Sequence, residues 1–271
     1  MKHTVYPKRS QNIQLAFWFF AIFILLIVIS FITKVIIIVR SSTFDGSHRY
    51  TIISQTKGDS SLYSVDPENK SIVVLSIVGN KDPKSVGGLL KIPVDGVVSC
   101  KEECFLTHNE NPSETFKSIL LNSRNIVTNL TILDSLRLWF FAQSVPQTFI
   151  QSDTLSAGQD PALLDKKVAG YISDPSVSKE NATVSVVNGS GMPGLGNRLA
   201  RYVSNLGATV VSVTSSEKPL GKSTIVYIDK DSYTFRRLSQ LLQFQNEAMK
   251  KPSLSDIVIT IGEDQKNTIL Y

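Results

Sequence analysis

The run Leu15–Thr33, LAFWFFAIFILLIVISFIT, constrains this chain more than any other feature. It holds no charged residue, and at about 1.5 Å rise per residue it matches a bilayer core of roughly 30 Å. It predicts a transmembrane helix over 15–39, with residues 1–14 as a cytoplasmic tail. A cleaved signal peptide is the competing reading, but the run exceeds the usual apolar region of about 7–15 residues and no small-x-small cleavage site follows it. Val35-Ile36-Ile37-Ile38-Val39 either carries the helix into the far interface or opens a β-branched strand. Lys2, Lys8 and Arg9 precede the span, while Lys34, Arg40 and Arg49 follow it. The positive-inside bias favours a cytoplasmic N-terminus and places the rest outside, on the cell membrane. Every later apolar run is short, so one span is expected.

Charge follows this division. The chain has 28 Lys or Arg against 23 Asp or Glu, and residues 1–40 contain the whole excess of five cations with no carboxylate. The remainder is neutral overall, which argues against nucleic acid as a partner. With 42% hydrophobic and 19% charged residues, the chain is not mainly disordered. Two cysteines exclude a disulfide-dense scaffold. Cys100 and Cys104, with His108 four residues on, could be a local disulfide in an oxidising compartment, two thiols, or a metal cluster of non-standard spacing. No metal site is expected.

After an exposed link at 41–48 the pattern alternates as in β-strands: Tyr50–Ile53, Ser61–Val65 and Ser71–Ile77. Asp66-Pro67-Glu68-Asn69-Lys70 turns between the last two, with Pro presetting φ and Asn suited to left-handed geometry. Glu114–Leu121 and Asp134–Gln143 carry apolar residues at helical spacing: Phe116, Ile119 and Leu120 in the first, Leu136, Trp139 and Phe140 in the second. Residues 49–152 therefore form a domain of mixed α and β structure.

The hairpin Tyr63–Ile77, the strand entry Ile92-Pro93-Val94-Asp95-Gly96-Val97 and the stretch from Asn129-Leu130-Thr131 to Val145-Pro146 resemble, in order, pieces of the LytR-CpsA-Psr domain. That resemblance implies an extracytoplasmic fold that transfers glycopolymers from a polyprenyl-pyrophosphate carrier to peptidoglycan. The family's hairpin ends in a Pro-Arg-Asp step whose Arg and Asp serve the pyrophosphate and its metal; here the chain reads Ile77-Val78-Gly79-Asn80, with Lys81 and Asp82 as poor substitutes. Between Cys104 and Val145 the only arginines are Arg124 and Arg137. Residues 41–180 hold 13 basic and 16 acidic residues, net −3, which repels a pyrophosphate rather than gathering it. The middle domain reads as a shortened, degenerate relative without catalytic residues.

Residues 153–180, rich in Ser, Asp, Gly and Pro, read as a linker. Beyond them comes a β-α-β-β-α-β order over 181–265, with strands at Thr183–Val187, Thr209–Thr214, Thr224–Ile228 and Asp256–Ile261. The first helix carries the stripe Leu195, Leu199, Tyr202, Val203 and Leu206 and is stopped by Gly207. The second is capped by Asp231 or Ser232 and turns Phe235, Leu238, Leu241 and Leu242 inward. The order predicts a two-layer sandwich of the ferredoxin-like kind. Val186-Val187-Asn188-Gly189-Ser190-Gly191 with Pro193-Gly194-Leu195, then Leu206-Gly207, then Ser255–Ile259 with Ile261-Gly262, resemble the LytR C-terminal domain. That resemblance implies a role in the bacterial cell envelope.

Gly189-Ser190-Gly191-Met192-Pro193-Gly194 also spells the dinucleotide fingerprint, but the unit is too short for a doubly wound sheet and no ribose-binding acid follows the next strand. No cofactor is expected. The plain reading of the loop is a tight turn with Pro193 at the first helical position; the functional reading is an anion- or glycan-binding loop of Asn188, Gly189, Ser190, Gly191 and Gly194 with Arg198 and Arg201 beside it. Residues 181–271 carry 10 basic and 7 acidic residues, net +3, and an anionic cell-wall glycan or peptidoglycan fits that sign. Two function classes result: a non-catalytic, membrane-anchored binding or scaffold protein of the envelope, and a glycopolymer phosphotransferase with altered site residues. Inverted topology would make the chain a cytoplasmic-facing regulator.

Overall fold

The computed structural model describes residues 9–55, 60–78, 90–101, 111–156, 161–251 and 253–265. Among these the fold is mixed α and β, with seven α-helices and two mixed sheets. Helix α1, Arg9–Ser41, is one continuous helix, so Val35–Val39 extends it rather than starting a strand. Its segment Ala16–Ser41 is long and apolar enough to cross a membrane.

The first sheet has six strands in the order β5-β4-β1-β2-β3-β6: β1 Tyr50–Gln55, β2 Ser60–Asp66, β3 Ser71–Val78, β4 Gly96–Cys100, β5 Ile126–Thr128 and β6 Ile150–Ser156. Strands β1, β2 and β3 pair antiparallel, while β4 joins β1 and β6 joins β3 in parallel. The β2–β3 turn takes its left-handed residue at Lys70, φ 46°, one position later than the Asn expected. Both sheet faces are covered. On one side Tyr50, Ile52, Tyr63 and Ile72 pack under α2, Pro112–Leu121, and α3, Ile132–Ser144; on the other Ile53, Leu62, Leu75 and Ile77 meet Leu90, Ile92 and helix α4, Pro161–Ile172.

Two expectations are corrected here. Residues 153–180 are not a linker: β6 completes the sheet, and α4 and α5, Pro175–Glu180, fill the space up to the next strand. Polar composition hid them, because β6 is an edge strand exposed on its outer side and α5 is a single capped turn and a half. In α3 the buried residues are Asp134, Ser135, Leu138 and Ala142; of the expected stripe Leu136, Trp139 and Phe140, Trp139 packs half-buried against the core and Phe140 is exposed. The helix is apolar on two faces, so its periodicity does not say which one turns inward.

The second sheet runs β10-β9-β11-β7-β8: β7 Thr183–Asn188, β8 Thr209–Ser215, β9 Thr224–Tyr227, β10 Gln245–Ala248 and β11 Ile257–Ile261. Helices α6, Leu195–Leu206, and α7, Tyr233–Leu242, cover Val184, Val186, Ile225, Ile257 and Ile259 with Leu199, Val203, Phe235 and Leu238. The ferredoxin-like arrangement does not hold. Strands β7 and β8 are direct parallel neighbours across α6 instead of being split by a third strand, and the extra strand β10 extends the β9 edge in parallel.

Candidate functional site

Strand β7 delivers Asn188 to the turn before α6, and that residue organises the turn through its own amide group. Its Oδ1 accepts from Ser190 N at 3.2 Å and from Ser190 Oγ at 2.7 Å, while its Nδ2 donates to the Met192 carbonyl at 2.9 Å. The buried Ser190 hydroxyl in turn accepts from Met192 N at 3.1 Å. Gly189 is tied by both backbone groups, donating to Ile261 O at 2.8 Å and accepting from Leu220 N at 2.7 Å. Two amides that a phosphate cradle would use, those of Ser190 and Met192, are thus consumed within the turn.

The glycines have separate reasons. Gly191 and Gly194 sit at φ 71° and 78°, in the left-handed region that side chains avoid. At Gly189 the obstacle is steric: a β-carbon there would lie 2.8 Å from Leu220 Cδ1. Gly194 is the N-cap of α6 and Leu195 its first residue, so Pro193 precedes the cap instead of occupying the first helical position.

Arg198 and Arg201 lie on the outer face of α6 in different circumstances. Arg198 is exposed, its Nη2 reaching Met192 Sδ at 3.8 Å. Arg201 grips Asp165 of α4 with two hydrogen bonds, Nε to Oδ2 at 2.9 Å and Nη2 to Oδ1 at 2.7 Å. One turn on, Asn205 Nδ2 donates to the carbonyl of Leu90 at 2.9 Å and that of Lys91 at 3.3 Å. This row brings Lys91 beside the arginines. Partial burial, and then the charges of Arg198 and Arg201, hold the Lys91 ammonium below the usual lysine range. Arg198 is therefore the exposed cation of this row, with the half-buried Lys91 near it, and Arg201 belongs largely to the contact between the two domains.

That contact is built on a buried charge cluster which the sequence reading missed. Arg237 of α7, 5% exposed, points out of its own domain: Nη2 lies 3.3 Å from Asp95 Oδ1 and donates to Arg49 O at 3.1 Å, and Nε lies 3.9 Å from Asp174 Oδ2. Tyr233 Oη donates to Asp174 Oδ2 at 2.9 Å, and the Tyr233 ring stacks on His48, which contacts Asp45. Glu180, at the end of α5, accepts from the backbone amides of Tyr233 and Thr234 and so caps α7. Burial pushes its carboxyl up, but hydrogen bonds from Thr234, Ser232 and the Tyr233 amide together outweigh that and hold it below the usual range. The available signal was Arg237 itself, which falls on the inward Thr234–Leu238 side of α7.

Cys100 is disulfide-bonded. Cys104 and His108, like Gly79, Asn80, Lys81 and Asp82, lie outside the described residues. Among the described residues no group of three or more His, Cys, Asp or Glu could hold a metal ion.

Residues 181–264 match the family described as LytR cell envelope-related transcriptional attenuator. Among curated proteins no match is found. Among solved structures, Lin1025 of Listeria innocua is 12% identical with a TM-score of 0.29, covering 40% of this chain and 83% of that one. The transcriptional regulator yvhJ of Bacillus subtilis is 13% identical with a TM-score of 0.30, covering 40% and 83%. Bacillus subtilis TagT is 14% identical with a TM-score of 0.29, covering 42% and 81%.

Proposed function

We propose that this chain is a single-pass membrane protein of the cell envelope, with residues 42–265 outside, acting as a non-catalytic holder for an anionic cell-wall glycan. The observation that carries the reading is the exposed Arg198 on the outer side of the family-matched module, with the half-buried Lys91 of the middle domain near it, set beside a turn closed by Asn188 and Ser190. Two neighbouring cations, with no carboxylate bonded to Arg198 among the described residues, attract phosphate or carboxylate groups along a polymer, and the attraction falls as salt screens it. Gly189, Ser190, Gly191 and Gly194 shape the edge of that surface, while Arg201 positions it through Asp165.

The test uses the full-length protein in detergent with purified cell-wall sacculi. Arg198→Glu combined with Lys91→Glu should sharply weaken sedimentation with sacculi, and the parent's binding should fall with added salt. Binding equal to the parent's by a variant that melts normally rejects this surface. Orientation is read from a cysteine placed at the exposed Ser123: labelling by a membrane-impermeant maleimide in intact cells is expected, and labelling only after lysis rejects the outward topology.

A further inference from the structure

Helix α3 is apolar on both sides, and among the described residues only one side is covered. Leu138 and Ala142 pack into the core beneath it, whereas on the opposite side Ile132 is 66% and Phe140 56% exposed, with the half-buried Leu136 between them at helical spacing. Leu121, at the end of the neighbouring helix α2, adds a side chain 71% exposed. A helix with a second apolar face that none of the described residues covers calls for an apolar partner.

The position of this face identifies that partner. Helix α1 ends at Ser41, and the next three residues are fastened to the first turn of α3: Asp134 Oδ1 accepts from Ser42 Oγ at 2.7 Å, Thr43 N at 3.0 Å and Phe44 N at 2.9 Å. Arg137 Nη1 adds bonds to Ser42 Oγ at 3.2 Å and Phe44 O at 3.0 Å. The start of α3 is thereby held against the exit of the apolar helix. Charge agrees: between Leu121 and Phe149 the chain carries Arg124 and Arg137, and its one carboxylate, Asp134, is buried in these bonds. Exposed apolar side chains among cations are the surface of a segment lying in a membrane interface, with aliphatic and aromatic groups among the acyl chains and guanidinium groups at anionic headgroups.

We infer that the outer face of α3, Ile132, Leu136 and Phe140 with Leu121 beside it, rests on the anionic lipid surface around α1, so that the middle domain is seated on the membrane rather than held away from it. This rests on the reading of α1 as a membrane anchor, and the test separates the two. The full-length protein is reconstituted into vesicles of phosphatidylcholine and phosphatidylglycerol whose acyl chains carry bromine at shallow positions. The chain has two tryptophans, so Trp18→Phe leaves Trp139 of α3 as the reporter and Trp139→Phe leaves Trp18 of α1.

Bromine should quench both reporters, and Ile132→Asp with Phe140→Asp should abolish quenching of Trp139 while leaving that of Trp18. Omitting phosphatidylglycerol should weaken Trp139 quenching in the unsubstituted helix, a result independent of whether the double aspartate variant folds. Quenching of Trp18 without Trp139 overturns the seating and keeps the anchor; quenching of neither overturns both. Cross-linking of Phe140→Cys to a second copy, with Trp139 unquenched, would assign the face to self-association instead.

Discussion

Arg237 on α7 reaches across to Asp95 before β4, its Nη2 3.3 Å from Oδ1, with both side chains 10% exposed or less. The two residues are 142 positions apart, and their pairing, together with Asp174, fastens the C-terminal module to the body that α1 enters. Desolvation opposes such a cluster, and an excess carboxylate is held only while the guanidinium is present. Arg237→Ala, which strands Asp95 and Asp174, should therefore destabilise the folded unit by about 3–5 kcal/mol, the scale for removing one partner of a buried pair. Urea unfolding followed with and without the variant checks this. A change below about 1 kcal/mol would place the pair in the weak class of exposed bridges.

Asp134 makes the attachment at the end of helix α1 dependent on pH. Burial pushes its carboxyl up, but hydrogen bonds from Ser42, Thr131 and the Phe44 amide outweigh that and hold it below the usual aspartate range. A carboxyl whose folded value is lowered contributes stability that is complete above its unfolded value and is lost as the pH falls through the folded one. Protease cleavage after Arg40 should thus be slow at neutral pH and accelerate only in acid below the ordinary aspartate range. Asp134→Ala should bring fast cleavage at neutral pH, with a loss of about 2 kcal/mol from the helix cap and its charge-assisted bonds.

The glycines of the C-terminal module should rank by cause. Gly207 has φ 114°, and a β-carbon there would lie 2.5 Å from Ser178 Oγ and 3.0 Å from Asp174 O. Gly207→Ala should therefore cost more than the about 1–2 kcal/mol of left-handed strain alone. At Gly194, φ 78° with open space around it, alanine should cost only that strain and asparagine less. Gly221→Ala, with nothing within 4 Å, serves as the neutral reference. Thermal melting of the three variants gives the order directly.

Much of this architecture can be read from short-range pattern. The stripe Leu195, Leu199, Tyr202, Val203 and Leu206 is buried as a unit, and Ser232 caps α7 by accepting from Phe235 N, because both signals lie within a turn or two of chain. What pattern cannot supply is partnership over distance. Strand β6 is polar, and its place is fixed by parallel pairing with β3 from Ile72–Ile150 to Val78–Ser156. The inward face of α3 is chosen by the sheet, since both of its faces are apolar. Arg201 looks like a free surface cation until α4 brings Asp165 beneath it. The candidate site was legible as a turn and a helix start; the division of labour between Arg198 and Arg201 was not.

Arg201 and Asp165 provide the sharpest check of that division. Their two hydrogen bonds join α6 to α4 at a rim where both side chains are about a third exposed, 38% and 30%, so water screens the pair and the interaction is worth about 1 kcal/mol, in the range of well-aligned exposed bridges. Arg201→Glu opposes two carboxylates and should loosen the domain contact as well as weakening any glycan binding, which confuses structure with function. The charge swap Arg201→Glu with Asp165→Arg restores the attraction while leaving the local net charge unchanged. If Arg201 acts through position alone, the swap should recover most of the melting temperature and most of the sacculus binding lost in the single variant. Recovery of stability without recovery of binding would show that the Arg201 guanidinium itself touches the glycan, and would move it from the domain contact into the binding surface beside Arg198.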